Sequence, residues 1–101
     1  MPAEGVKLTV AVPTFNFGRF IGVTLDSILP QAGAGVEVLV VDGASTDDTE
    51  GVVRKRMERF PALRYHRLER KGGIDRDMAA AVELARGEYC WLFSADDVML
   101  P

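Results

Sequence analysis

One cysteine, one histidine and one tryptophan are all that the 101-residue chain has of those types. Cys90 cannot close an internal disulfide, and it sits in the apolar run Tyr89-Cys90-Trp91-Leu92-Phe93, so it is expected to be a reduced, buried core residue. His66 falls within a strand pattern, which argues against a catalytic base or a metal ligand. No apolar stretch approaches the ~18 residues that span a bilayer. The first residues, Met1-Pro2-Ala3-Glu4-Gly5, lack the basic-then-apolar layout of a secretion signal. A cytoplasmic location is the resulting expectation, with any membrane association left to a missing region or partner. An excess of positive charge is also lacking: twelve basic against fifteen acidic residues give a net charge of -3, which argues against a nucleic-acid partner held by bulk electrostatics. There is no Gly-Lys-Ser/Thr element, so a P-loop is excluded. Gly33-Ala34-Gly35 precedes a strand, where a dinucleotide fingerprint must follow one.

The length fits a single domain, 1–101, and leaves no room for two. A hydrophobic share of 48% beside 27% charged residues is that of an ordinary globular protein, so disordered and collagen-like classes fall away. At this size roughly 60–70% of the unfolded surface can be buried, enough for a modest core.

The apolar, β-branched segment 8–12 reads as a strand stopped by Pro13. Phe20, Leu25, Ile28 and Leu29 then recur near helical spacing, with Pro30 and Gly33 ending the pattern. Segment 36–41 contains Val38-Leu39-Val40-Val41 without alternation, which suits a parallel strand covered on both faces. Ser45 to Asp48 has the spacing of a capping box, opening a helix that carries Val52, Val53, Met57 and Phe60 and breaks at Pro61. Segment 63–67 is a third strand. Gly72-Gly73 leads into a helix with Ile74, Met78, Val82 and Ala85 on one face and Gly87 as its C-terminal cap. A last strand covers 89–93. The order β-α-β-α-β-α-β predicts an α/β fold: a three-layer α-β-α arrangement around a mostly parallel, Rossmann-like sheet.

Open parallel sheets bind ligands beyond the carboxyl ends of their strands, and the polar segments here fall at those ends. Pro13-Thr14-Phe15-Asn16 follows the first strand, 42–48 the second and Ser94-Ala95-Asp96-Asp97 the last. Paired aspartates at a strand end suit a hard divalent cation, Mg²⁺ or Mn²⁺, which also takes oxygens from a substrate pyrophosphate and neutralises charge on a leaving phosphate. The same pair also suits a turn or a helix cap. Asp42 either accepts hydrogen bonds from a base or ribose or belongs to a strand-to-helix turn, and Gly43 either admits a ligand to the backbone or completes that turn. Thr14 and Asn16 either touch a nucleotide or shape the loop. Ser45, Asp47 and Asp48 are read as helix-start residues, and Arg67, Arg70 and Lys71 either meet phosphates or form a solvated basic loop, the second being the expectation.

Taken together, Val10-Ala11-Val12-Pro13-Thr14-Phe15-Asn16, then Val40-Val41-Asp42-Gly43-Ala44-Ser45-Thr46-Asp47-Asp48-Thr49, then Gly87-Glu88-Tyr89, then Ser94-Ala95-Asp96-Asp97-Val98-Met99-Leu100-Pro101 resemble the family 2 glycosyltransferase pattern along nearly the whole chain. The resemblance implies a GT-A fold and the N-terminal, nucleotide-sugar-binding portion of such an enzyme. Its substrate would be a nucleotide diphosphate sugar, with UDP the expected carrier. By that resemblance Pro13, Thr14, Asn16, Asp42, Gly43 and Asp96 contact the nucleotide sugar. Asp97, with Asp96, occupies the "DxD" segment and holds Mg²⁺ or Mn²⁺ on the pyrophosphate. Family members invert the anomeric centre by direct displacement, with a carboxylate deprotonating an acceptor hydroxyl on a saccharide or a lipid-linked glycan, as in polysaccharide biosynthesis.

Two positions depart from the pattern: Ser94 stands at the first acidic place of the "DxD" segment, and Ala79 stands where many relatives have Asn. The chain also ends at Pro101, where the acceptor-binding half would begin. The general base is therefore expected beyond it, and the chain is expected to be an incomplete domain that binds donor without transferring it. Uncovered apolar surface on such a half-domain predicts self-association as a homo-oligomer. The competing reading is a non-catalytic nucleotide-binding or regulatory module of the same fold. A phosphoacceptor signalling domain would also place acids at strand ends, but it would need a lysine directly following a later strand, and neither 63–67 nor 89–93 is followed so.

Overall fold

The computed structural model describes residues 5–93. Four strands, β1 (Leu8–Thr14), β2 (Val36–Asp42), β3 (Leu63–Arg67) and β4 (Tyr89–Leu92), alternate with three helices, α1 (Gly18–Ile28), α2 (Thr49–Met57) and α3 (Ile74–Leu84). All described pairings are parallel, and the sheet order is β3-β2-β1-β4. The first two crossovers step to one side of β1 and the third returns to the other. Right-handed crossovers then put α1 and α2 on one face and α3 on the opposite face.

The strand sequences show why both faces are covered. Val10, Val12, Val38 and Val40 point one way and pack with Ile21, Leu25 and Ile28 of α1 and Val53 of α2. Ala11, Leu39 and Val41 point the other way, against Ala81 of α3. Consecutive β-residues alternate faces, so an unbroken apolar run is what a central strand between two helical layers requires. Each fully buried Val, Leu or Ile contributes about 1.5–3 kcal/mol.

Several local expectations are revised. Pro13 lies inside β1, paired with Val41, because of where its nitrogen points. Thr14 O accepts from Gly43 N on the β2 side, whereas Ala11 O accepts from Phe93 N on the β4 side. Pro13 shares the parity of Ala11, and the described β1–β4 ladder ends at Ala11 with Leu92. The missing N–H therefore interrupts no described rung. Phe20 is exposed, its ring tilted against that of Phe17, while Ile21, Thr24, Leu25 and Ile28 form the buried face of α1.

On α3, Val82 is 54% exposed and Ala81 is fully buried. The small pair Ala80 and Ala81 lets the helix sit close over Leu39 and Val41. Gly87 is not the helix cap, since Ala85 stands there. A Cβ on Gly87 would lie 2.6 Å from Thr9 N, so its lack of a side chain lets the chain enter β4 directly beside β1. Cys90 is free and partly buried against the α3-side cluster. Tyr89, Trp91 and Leu92 of β4 are exposed. No helix among the described residues is long and apolar enough to cross a membrane.

Candidate functional site

The carboxyl ends of β1 and β2 are tied together before any ligand is considered. Asn16 adopts φ 54°, a left-handed conformation that Asn tolerates better than most residues. There its Oδ1 accepts from Thr46 N at 2.8 Å and Asp47 N at 3.3 Å, and its own N–H donates to Ser45 Oγ at 2.8 Å. Asp47 accepts from Gly18 N, at the start of α1, and from Thr49 N, at the start of α2. Ser45 and Asp48 therefore form no capping box: α2 begins at Thr49, and neither helix N-cap makes a side-chain cap bond. Ser45 instead braces the Asn16 loop, and Asp48, not Ser45, stands at the N-cap of α2.

Asp42 is completely buried. Its Oδ1 accepts from Ser45 N at 2.8 Å, and its Oδ2 accepts a short hydrogen bond from Tyr65 Oη. Arg67 stands 3.6 Å from the same oxygen. Burial, followed by the bond to Asp42, pushes the Tyr65 hydroxyl well above its ordinary range. Tyr65 does not stand out in the sequence, and Arg67 stands out only as part of a basic run. They reach Asp42 because β3 pairs with β2 in the register Asp42 with Arg67 and Val40 with Tyr65. Arg67 is thus not part of a purely solvated basic loop. Lys71 is not either, since its Nζ lies 4.5 Å from the centroid of the Phe15 ring.

Between the β1 loop and α3 lies a cleft of about 340 Å³ lined by Pro13, Thr14, Phe15, Phe17, Lys71, Gly73 and Asp77. Thr14 is 2% and Asp77 3% exposed. Thr14 Oγ1 and Asp77 Oδ1 are buried without a hydrogen-bond partner. Burial is the main cause of a raised Asp77 pKa; Arg76 opposes it and the Asp42 charge adds to it. Buried polar atoms in folded proteins are nearly always paired with protein or ordered water, so two orphans in one cleft single it out as a candidate place for a polar partner. Gly43 is buried behind this wall, against the Asp77 carboxylate. Asp77 is not among the sequence-derived candidates; with Asp75 it is one of two acids in the first turn of α3, which read as dipole partners.

β4 runs parallel to β1, and Phe93 N donates to Ala11 O at 2.8 Å, so both strands end on the same edge of the sheet. Asp96 and Asp97, the expected metal ligands, lie outside the described residues. Among the described residues, no group of three or more His, Cys, Asp or Glu side chains is arranged to hold a metal ion.

The family model described as Glycosyl transferase family 2 matches residues 9–101. The chain belongs to glycosyltransferase family 2. Among curated relatives, the abequosyltransferase RfbV of Salmonella typhimurium is 34% identical over 96 residues, covering 91% of this chain and 28% of RfbV. Glycosyltransferase GlyG of Streptococcus pneumoniae is 28% identical over 92 residues, covering 91% of this chain and 31% of GlyG. This family 2 chain therefore spans about a third or less of the length of these relatives.

Solved structures agree on the GT-A fold. S. aureus TarS 1-349 in complex with UDP-GlcNAc is similar at 33% identity and a TM-score of 0.84, covering 92% of this chain and 27% of the TarS chain. The mannosyltransferase PcManGT from Pyrobaculum calidifontis, in complex with GDP-Man and Mn²⁺, is similar at 31% identity and a TM-score of 0.85, covering 99% and 30%. The family and the parallel α/β fold read from the sequence are both borne out.

Proposed function

We propose that this chain carries the donor site of a glycosyltransferase, binding a nucleotide diphosphate sugar whose sugar the whole protein passes to a saccharide or lipid-linked acceptor with inversion. The observation that carries the reading is the cleft at the strand ends. It combines an apolar floor from Pro13, Phe15 and Phe17, two unpartnered buried acceptor atoms, and a lysine at its wall. A ring with polar edges fits such a lining, and Lys71 is placed to meet phosphate charge. UDP is the expected carrier; the TarS complex contains UDP-GlcNAc and the PcManGT complex GDP-Man.

In this reading Thr14 and Pro13 form the floor, and Gly43 keeps the neighbouring backbone close. Asn16 holds the loops by its side-chain oxygen and leaves Nδ2 as the group a ligand can meet. Asp42 acts chiefly by fixing the β2 turn through Ser45, Tyr65 and Arg67, with its carboxylate reachable by a base only after Tyr65 moves. Asp97, with Asp96, would hold Mg²⁺ or Mn²⁺. Carboxylate donors suit these hard cations, and β4, which precedes them in the chain, runs parallel to β1. When bound, the metal would offset negative charge on the diphosphate as it leaves.

Calorimetric titration of the chain with UDP and with GDP, in Mn²⁺ and again in excess EDTA, tests the proposal. Binding that requires Mn²⁺ and is lost in Asp97→Ala is the expected result. Binding that ignores the metal would favour a non-catalytic nucleotide-binding module. A folded chain that binds neither nucleotide would overturn the donor-site reading.

A further inference from the structure

The three carboxylates buried among the described residues, Glu37, Asp42 and Asp77, differ in one respect. Glu37 accepts from Thr9 Oγ1 at 2.6 Å, Arg64 at 2.8 Å and Arg86 N at 2.7 Å. Asp42 accepts from Ser45 N and Tyr65 Oη and faces Arg67. Asp77, equally inaccessible, has an oxygen with no donor at all, and the neighbouring orphan, Thr14 Oγ1, lines the same cleft. Leaving a buried acceptor unmade costs about 1–3 kcal/mol, more when it is charged, so the fold's own hydrogen bonds account for Glu37 and Asp42 but not for Asp77 Oδ1.

The chemistry of the missing partner follows from the atoms. A carboxylate oxygen accepts and does not donate, so the partner must bring an N–H or O–H. A diphosphate offers only anionic acceptors and would be repelled here; its place is nearer Lys71. The adjoining Pro13, Phe15 and Phe17 suit a ring system. Asp42 is a poorer candidate for the same contact, since its oxygens already have partners.

We infer that Asp77, assisted by Thr14, is a specificity-determining residue of the donor site, its Oδ1 accepting a hydrogen bond from an N–H or O–H of the nucleoside. The inference rests on the nucleotide-sugar reading above and assigns to α3 a recognition role that its sequence does not display. The donor on the nucleoside is either the ring imide N–H or a ribose hydroxyl, and analogues separate the two.

The test titrates the parent chain, Asp77→Ala, Asp77→Asn and the control Asp75→Asn with UDP and GDP in Mn²⁺. Asp75 is exposed in the same helical turn, so it controls for the general loss of negative charge. The tighter nucleotide is then replaced by its imide-N-methylated, 2′-deoxy and 3′-deoxy analogues. Thermal melting of each variant shows that it is folded, and Asp77→Asn, nearly isosteric, covers the case in which the alanine variant does not fold.

Loss of a hydrogen bond to a charged group predicts roughly tenfold or greater weakening for Asp77→Ala, with Asp75→Asn unchanged. One analogue should lose a similar factor on the parent and nothing further on the Asp77 variant, which identifies the donor. Equal binding by parent and folded Asp77 variants overturns the inference and leaves the donor site standing. A parent chain that binds neither nucleotide overturns both.

Discussion

The carboxylate of Asp77 rests against the backbone of Gly43: a Cβ built on Gly43 would stand 2.5 Å from Asp77 Oδ2 and 3.1 Å from its Cγ. Neither residue is near the other in sequence, and the contact joins the end of β2 to the first turn of α3. Gly43→Ala must therefore move a buried acid or the β2 turn. Overpacking of this kind costs about 1–3 kcal/mol. Denaturant melts of Gly43→Ala, Asp77→Ala and the double variant check the mechanism. The glycine substitution should cost markedly less once the Asp77 carboxylate is gone, and equal costs in both backgrounds would refute the contact.

Asp77 also predicts a pH dependence. Burial, reinforced by the Asp42 charge and opposed by Arg76, raises its pKa above the ordinary 3.8. A carboxyl raised on folding favours the fold in its neutral form, so its contribution is fully present below the unfolded value and is lost as pH rises through the folded one. Asp77→Asn removes the charge, and at pH 7 it should be more stable than the parent. The gap should close as pH falls to about 4 and below. Urea melts across that range are the measurement, and a variant less stable than the parent at neutral pH would contradict it.

Glu37 should behave in the opposite sense. Burial works to raise its pKa, but donors from Thr9, Arg64 and the Arg86 N–H prevail and hold it below 4.5. A depressed carboxyl contributes stability above its unfolded value, and that stability is lost as pH falls through the folded value. Glu37→Gln should destabilise the chain by about 1–3 kcal/mol at pH 7. The difference from the parent should shrink as the medium is acidified below 4.5. A gap that stays constant with pH would show that charge is not what the three donors recognise.

Ala44 has φ 70°, in the left-handed region where a Cβ costs about 1–2 kcal/mol. Glycine removes that cost but adds roughly 0.5–1 kcal/mol of backbone entropy to be lost on folding. Ala44→Gly should therefore raise stability slightly, by about 0.5–1 kcal/mol. A lower melting temperature for the glycine variant would mean that the alanine methyl makes a favourable contact outweighing the strain.

Much of this architecture was legible in the chain. The unbroken Val38-Leu39-Val40-Val41 run requires cover on both faces, and α1 and α3 supply it from opposite sides. Four ordered segments were enough to indicate the family, because local turn chemistry at strand ends is written in consecutive residues. Periodicity failed where packing was tight and side chains small. Val82 fits an apolar stripe, yet Ala81 is the residue turned to the sheet, since alanine lets the helix approach and has little hydrophobicity to announce it.

The candidate site divides along the same line. Residue order alone determined the strand-helix alternation, the family and the polar segments at the strand ends, because each depends on spacing within a dozen residues or on a motif. Only the tertiary structure decided what those residues do. Asn16 reads as a ligand contact until Thr46 and Asp47, thirty residues on, are seen to take its side-chain oxygen. Asp42 reads as a free acid until the β2–β3 register brings Tyr65 and Arg67 onto it. Asp77 reads as a helix-start acid until the return crossover lays α3 against Gly43 and buries its carboxylate beside Thr14. Hydrogen-bond saturation is a property of all the donors gathered around an atom, and strand register and crossover direction gather donors from parts of the chain that carry no signal of one another.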